Sequence, residues 1–169
     1  MSTPGKVGVV LAGFLFAAFV ASAAVAVSAA AQPGVDRSGG MSAFGDLLLF
    51  LAVFALAAIP ATSAGLYFLR SQTWFWAALT IVGPLIAFTS VAAAILSIAG
   101  RGAAAGSGPA LWSMLAVMRM IAAPICALAF LLAGIFAPRR PWRIALLAAA
   151  TVEAASFASV VLGLLVQSA

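Results

Sequence analysis

Residues 111–167 read LWSMLAVMRMIAAPICALAFLLAGIFAPRRPWRIALLAAATVEAASFASVVLGLLVQ, and this stretch decides the fold class. It consists of two apolar runs joined by a short basic loop from Pro138 to Arg143, with one charge inside each run, Arg119 and Glu153. Each run exceeds the ~20 residues that a helix needs to cross a bilayer. A helix satisfies its backbone hydrogen bonds within the segment, as lipid requires. The stretch therefore predicts a transmembrane helical hairpin with one charge in each arm.

The composition of the whole chain agrees with this hairpin. Of the 169 residues, 66% are apolar and 7% are charged, whereas a soluble domain averages about 45–50% apolar and about 25% charged residues. We predict an all-α integral membrane protein, a five-helix transmembrane bundle, in a single transmembrane domain covering residues 1–169. The predicted spans are about 7–31, 43–68, 75–99, 111–136 and 144–167.

The first apolar stretch, residues 7–31, has two interpretations. It is either a membrane helix that is retained or a signal peptide that is cleaved, because residues 27–31 read Val-Ser-Ala-Ala-Ala and offer the small side chains that signal peptidase requires. Signal-peptide apolar cores usually run about 7–15 residues, and this one is longer. We favour a retained helix, although the other four spans keep the same orientation in either case.

The basic residues between the spans predict the orientation. Lys6, Arg70 and the cluster Arg139, Arg140 and Arg143 fall on one side of the membrane, and Arg37 and Arg101 fall on the other. The positive-inside rule places the larger group in the cytoplasm. We expect a multi-pass protein of a bacterial-type inner (plasma) membrane, with a cytoplasmic N-terminus and an external C-terminus.

A possible internal repeat relates the second and fourth spans. Residues 51–53 and 115–117 both read Leu-Ala-Val, and Pro60 matches Pro124 at the same offset. The chain would then be one helix followed by two repeated helical hairpins. Chance is the alternative explanation, since Ala, Leu and Val dominate the sequence.

Small residues at four-residue spacing predict where helices pack, because membrane helices associate through close contacts of small side chains. The last span carries such a helix-packing ridge: Thr151, Ala155, Ser159 and Gly163. Further ridges are Gly13, Ala17 and Ala21 in the first span and Thr89, Ala93 and Ser97 in the third. The ridge on the last span lies about 200° around the helix from Glu153, which predicts two separate contact faces.

The two intramembrane charges form the candidate polar site, together with Ser156. A charge at the bilayer centre costs about 2.5–3.5 kcal/mol, so such residues usually face the bundle interior and have partners. Arg119 and Glu153 lie at similar depth on adjacent antiparallel helices, and we expect an ion pair between them. A functional interpretation, a proton or cation site at Glu153, stands beside this structural one.

Three prolines, Pro60, Pro84 and Pro124, fall near the middle of their spans and predict helix kinks. Broken helices at mid-depth also build transporter sites. Proline is common in membrane helices, however, so ordinary kinks are the simpler interpretation.

The residues that usually carry catalysis or bind metals are scarce. The chain has no His, one cysteine, Cys126, and three acids, Asp36, Asp46 and Glu153. Haem, copper and zinc sites usually need His, and most enzymes need several convergent ionisable groups. We expect no enzyme activity and no catalytic, cofactor-binding or metal-binding residues. The charge of +5 is scattered without interleaved aromatics, so we expect no nucleic-acid partner.

These observations favour a small polytopic membrane protein of non-enzymatic type, a structural or accessory subunit that packs against partner membrane helices. We expect the lipid bilayer and either a partner membrane protein or a homo-oligomer as its surroundings. The alternative is a small transporter or channel that uses the Glu153 and Arg119 pair for passage of protons, ions or solutes. An enzyme acting on lipids is a third and more distant alternative.

Overall fold

The computed structural model describes residues 3–31, 40–99 and 108–168, and the regular secondary structure in these ranges is helical. The helices are α1 (Thr3–Ala31), α2 (Gly40–Ala57), α3 (Ile59–Phe68), α4 (Thr73–Ala99), α5 (Gly108–Phe136) and α6 (Arg140–Ser168), with a short 3-10 helix at Leu69–Ser71. The loop residues Asp36, Arg37 and Arg101 lie outside the described ranges.

Five of these helices are long and apolar enough to cross a membrane. They are Pro4–Ala31, Gly40–Ala57, Thr73–Ile98, Leu115–Phe136 and Arg140–Gly163. The predicted all-α fold with five spanning helices is therefore confirmed. The chain is a multi-pass membrane protein, and its surroundings are a lipid bilayer.

The second predicted span, 43–68, is not one unbroken helix. It is divided at Ala58 into α2 and α3, two residues before Pro60. Pro60 has no N–H to donate to the carbonyl of Leu56, and its ring crowds that turn. Backbone bonds on either side persist, from Ala58 N to the Phe54 carbonyl at 2.8 Å and from Thr62 N to the Ala58 carbonyl at 2.9 Å. The division is thus local to one turn.

The chain forms two compact units, Met1–Phe68 and Leu69–Ala169. In the first unit, α1 packs against α2 and α3. Gly13 allows this approach, because a Cβ built on it would lie 2.7 Å from the Cβ of Ala61. Ala17 and Ala21 follow at four-residue spacing and are fully buried. The small-residue ridge predicted on the first span therefore lies inside this unit.

The second unit is a bundle of α4, α5 and α6 in which each helix contacts the other two. A cluster of mostly small buried residues fills one part of its core: Ala93, Ala94, Ala116, Met120, Ala123 and Val160. Gly83 brings α4 close to α5 and α6, since a Cβ there would lie 3.3 Å from Leu146 and 3.4 Å from Phe130. Many large apolar side chains remain on the outer surface, as expected for helices that face lipid.

The predicted repeat of two hairpins is not matched by this grouping. The first predicted hairpin would join α2–α3 to α4, and these elements fall in different units, whereas α5 and α6 of the second hairpin pack on each other. The duplication stays a prediction about sequence, and so does the single transmembrane domain.

Candidate functional site

The structure brings together the two charges that the sequence singles out. Arg119 lies on α5 and Glu153 on α6, and Arg119 Nη2 donates to Glu153 Oε1 at 2.6 Å. Glu153 is fully buried, and the Arg119 side chain is 21% exposed. The short turn between the helices makes them antiparallel neighbours, so residues at similar depth meet. The resulting ion pair has no net charge, which lowers the cost of placing it in lipid.

Arg119 also bonds to α4, which the sequence did not predict. Its Nε donates to Thr89 Oγ1 at 3.1 Å, and its Nη2 donates to the Ile86 carbonyl at 3.1 Å. One guanidinium thus connects all three helices of the second unit. Thr89 is among the few polar residues of α4, so its residue type could have marked it as a hydrogen-bond partner. The rotational setting that turns it towards Arg119 did not follow from the sequence.

Three buried polar atoms near the centre of this unit have no hydrogen-bond partner within the described part of the chain. They are Ser90 Oγ, Arg119 Nη1 and Glu153 Oε2. A buried polar atom without a partner costs about 1–3 kcal/mol, and such atoms in native proteins usually mark a role or an internal water. The ion pair therefore retains unused donor and acceptor capacity.

Ser156, the third residue of the candidate polar site, is buried on α6 three residues after Glu153. Its backbone carbonyl accepts a hydrogen bond from Ser159 Oγ at 2.8 Å. Ser156 therefore lies on the inward face of α6, with Glu153 and the buried Val160.

The predicted ridge on α6 points away from the core of its own unit. Thr151, Ala155 and Ser159 are exposed, and Gly163 is partly exposed. The Thr151 hydroxyl is bonded to the Ala148 carbonyl at 2.8 Å. The sequence predicted a ridge about 200° around the helix from Glu153, and Thr151, Ala155 and Ser159 are exposed whereas Glu153 is buried. Glu153 takes the inward position because its ion pair with Arg119 is buried.

The predicted kink residues differ in their surroundings. Pro60 follows the division between α2 and α3, whereas Pro84 and Pro124 lie inside the continuous helices α4 and α5. Cys126 is a half-buried free thiol on α5. Among residues 3–31, 40–99 and 108–168, no three His, Cys, Asp or Glu side chains gather into a group that could hold a metal ion.

Comparison with known proteins gives no match, whether to a family model, a curated protein or a solved structure. The fold and the site define the class, a polytopic helical membrane protein with an intramembrane ion pair.

Proposed function

We propose that this protein is a non-enzymatic accessory subunit whose α6 docks a helix of a partner membrane protein. The observation that supports this proposal most strongly is the exposed ridge of Thr151, Ala155 and Ser159. Small residues at this spacing let two helix backbones approach closely in lipid, where apolar burial supplies no driving force between helices.

The contrast between neighbouring helices supports the same assignment. The outer face of α4 carries large apolar side chains, including Ile81, Leu85 and Phe88, which suit contact with lipid. Between positions 151 and 159 the outer face of α6 exposes mostly small residues, namely Thr151, Ala154, Ala155, Ala158 and Ser159, and its larger side chains there, Val152 and Phe157, are each only 36% exposed. A face of this kind allows the backbone of a second helix to approach closely.

The ion pair contributes to this function by fixing the rotation of α6. Glu153 cannot leave the interior without exposing an unpaired charge to lipid. Since the ridge lies about 200° from Glu153, holding the carboxylate inward keeps Thr151, Ala155 and Ser159 outward. Buried polar pairs that specify register are the best-attested use of such pairs.

Gentle detergent extraction of the tagged protein from native membranes, followed by mass spectrometry, tests this proposal. We expect the wild type to co-purify with a stoichiometric membrane partner. Ala155→Phe should lose this partner, because the bulky side chain prevents close approach of a second helix to the ridge. Ala129→Phe is the matched control, because Ala129 is an exposed alanine on α5. Recovery of the protein alone, or only as a homo-oligomer, would argue against an accessory subunit.

Passage of protons or ions is the second candidate function. It is supported by the partnerless buried atoms Arg119 Nη1, Glu153 Oε2 and Ser90 Oγ, because intramembrane acids with spare capacity occur in proton relays. Reconstituted protein should then conduct in proteoliposomes, and Glu153→Gln should abolish that flux. Equal flux in protein-free and protein-containing vesicles would exclude this candidate.

We further propose a bacterial-type inner membrane as the location, with the N-terminus in the cytoplasm and the C-terminus outside. The support is the arginine-rich end of the second unit, where Arg70, Arg139, Arg140 and Arg143 are exposed. A reporter active only in the cytoplasm should be silent when fused after Ala169 and active when fused before Met1. The reverse pattern would overturn the orientation.

A further inference from the structure

An open groove of about 370 Å³ runs between α4 and α6 on the outer surface of the second unit. Its lining is apolar and includes Pro84, Phe88, Val91, Ala145, Ala148 and Val152. The α6 side is low because three of its four lining residues are alanines, and the α4 side is raised by Phe88, which is 71% exposed. The groove is therefore an open depression on the lipid-facing surface, and α4 protrudes further along its edge than α6 does.

The groove begins near the end of the bundle that carries the arginines. Gly83 lies against Leu146, and Arg119 links Ile86 to Glu153, so α4 and α6 run in the same direction. Both helices therefore begin at the same end, beside Arg70 and Arg140. Along α6 the groove extends from about 7 Å to about 18 Å beyond Arg140, at 1.5 Å per residue. This depth matches the acyl chains of one leaflet in a ~30 Å core.

The end of this unit at which the groove begins carries only positive charge among the described residues. Arg70, Arg139, Arg140 and Arg143 are exposed there, and the described acid of the unit, Glu153, is fully buried. Two guanidinium groups are already held in place. Arg139 lies 4.6 Å from the ring centroid of Trp142, and Arg143 Nη2 donates to the Ile135 carbonyl at 2.9 Å.

Pro141 and Trp142 connect this basic end to the groove. They lie four and three residues before Ala145, which places them on the same face of α6. Tryptophan favours the depth of the lipid headgroups, and guanidinium groups bind phosphate oxygens in a bidentate manner. Arg139 and Arg140 therefore lie at headgroup depth at the end of α6 where the groove begins, and the groove itself lies at acyl-chain depth.

We propose that this surface binds one anionic phospholipid, with the phosphate at Arg139 and Arg140 and one acyl chain in the groove. The arginines match the phosphate in charge and depth, and the apolar groove matches the acyl chain in polarity and depth. Basic clusters next to membrane helices are known to select anionic headgroups. This inference is independent of the accessory role, since it concerns the purified protein without any partner.

Native mass spectrometry of the full-length protein in detergent tests the site. The probes are phosphatidylglycerol and phosphatidylcholine with identical acyl chains at equal concentration. We expect a single phosphatidylglycerol adduct, favoured over phosphatidylcholine by roughly tenfold, since each arginine near the headgroup contributes severalfold. Arg139→Gln combined with Arg140→Gln should remove this preference, and the corresponding pair of lysine substitutions should keep most of it.

The groove is tested separately with Ala148→Phe, which should abolish the adduct. The matched control is Ala154→Phe, an identical change at an exposed position about 180° away from Ala145 on α6. If Ala148→Phe fails to fold, Ala145→Leu replaces it with the same expected loss. Equal adducts of the two lipids, or full phosphatidylglycerol binding by the groove-filled variant, would overturn the proposal. If Ala148→Phe lost a protein partner but bound lipid as before, the groove would be the contact site of a partner helix, and the lipid proposal would also be overturned.

Discussion

Arg119 is the residue on which the second unit depends, because its guanidinium is bonded to α4 and α6 from a position on α5. A buried ion pair is weak support for stability as such, since desolvation offsets much of the attraction. Removing one partner is different, because it leaves the other charge buried and unpaired.

Arg119→Ala and Glu153→Ala should therefore each destabilise the protein by about 3–5 kcal/mol, whereas the double variant with both alanine changes should cost much less than the sum. Reversible unfolding in mixed micelles measures these free energies as a double-mutant cycle. Arg140→Ala is the control, because it removes an exposed arginine and should change stability by less than about 0.5 kcal/mol. If both single alanine changes are silent, the pair has no role in folding.

Exchanging the two charges should restore only part of this stability. The double variant Arg119→Glu with Glu153→Arg regains the opposite charges but loses the bonds from Arg119 to Thr89 and Ile86.

The ion pair between Arg119 and Glu153 could be predicted from the sequence alone, because a charge within lipid requires a partner of opposite sign at similar depth. The sequence did not predict that Arg119 also bonds to Thr89 and Ile86 on α4, because neither depth nor spacing fixes the rotation of a third helix about its axis.

At the scale of elements, close helix approach depends on glycine at Gly13. Gly13→Ala would place a methyl group 2.7 Å from the Ala61 Cβ, and a side chain as short as that of Ala61 cannot move aside. We expect destabilisation of about 1–3 kcal/mol, the usual range for overpacking.

Gly8 on the same helix provides the matched control, since a Cβ there meets nothing within 4 Å. Gly8→Ala should be neutral or stabilising by up to about 1 kcal/mol, because alanine favours helix. Thermal unfolding of the two variants in detergent compares them directly. Equal stability of Gly13→Ala and Gly8→Ala would show that α1 and α3 do not approach as described.

The packing ridges show what a helical pattern can and cannot predict. Four-residue spacing places residues near one another on a helix surface, because it follows from helix geometry. It did not say which face is buried. Ala17 and Ala21 lie inside the first unit, whereas Thr151, Ala155 and Ser159 lie on the outside of the second. For α6 the inward face is set by Glu153, which is fully buried in its ion pair with Arg119.

At the scale of the whole molecule, the five spans followed from hydropathy and length, because lipid admits so few backbone structures. The grouping into two units did not follow. Within the first unit α2 and α3 pack with α1, and within the second α4 packs with α5 and α6. Such grouping depends on contacts between residues distant in sequence, which the composition of an apolar span leaves open.

The role proposed for the molecule requires that the α6 ridge meet another protein in the membrane. The most direct measurement places a photoreactive diazirine side chain at position 155 and, as the matched control, at position 129, and irradiates native membranes. We predict a discrete adduct with a different membrane protein from position 155 and none from position 129. No adduct from position 155, the same adducts from both positions, or an adduct with only a second copy of the chain would contradict the accessory-subunit account.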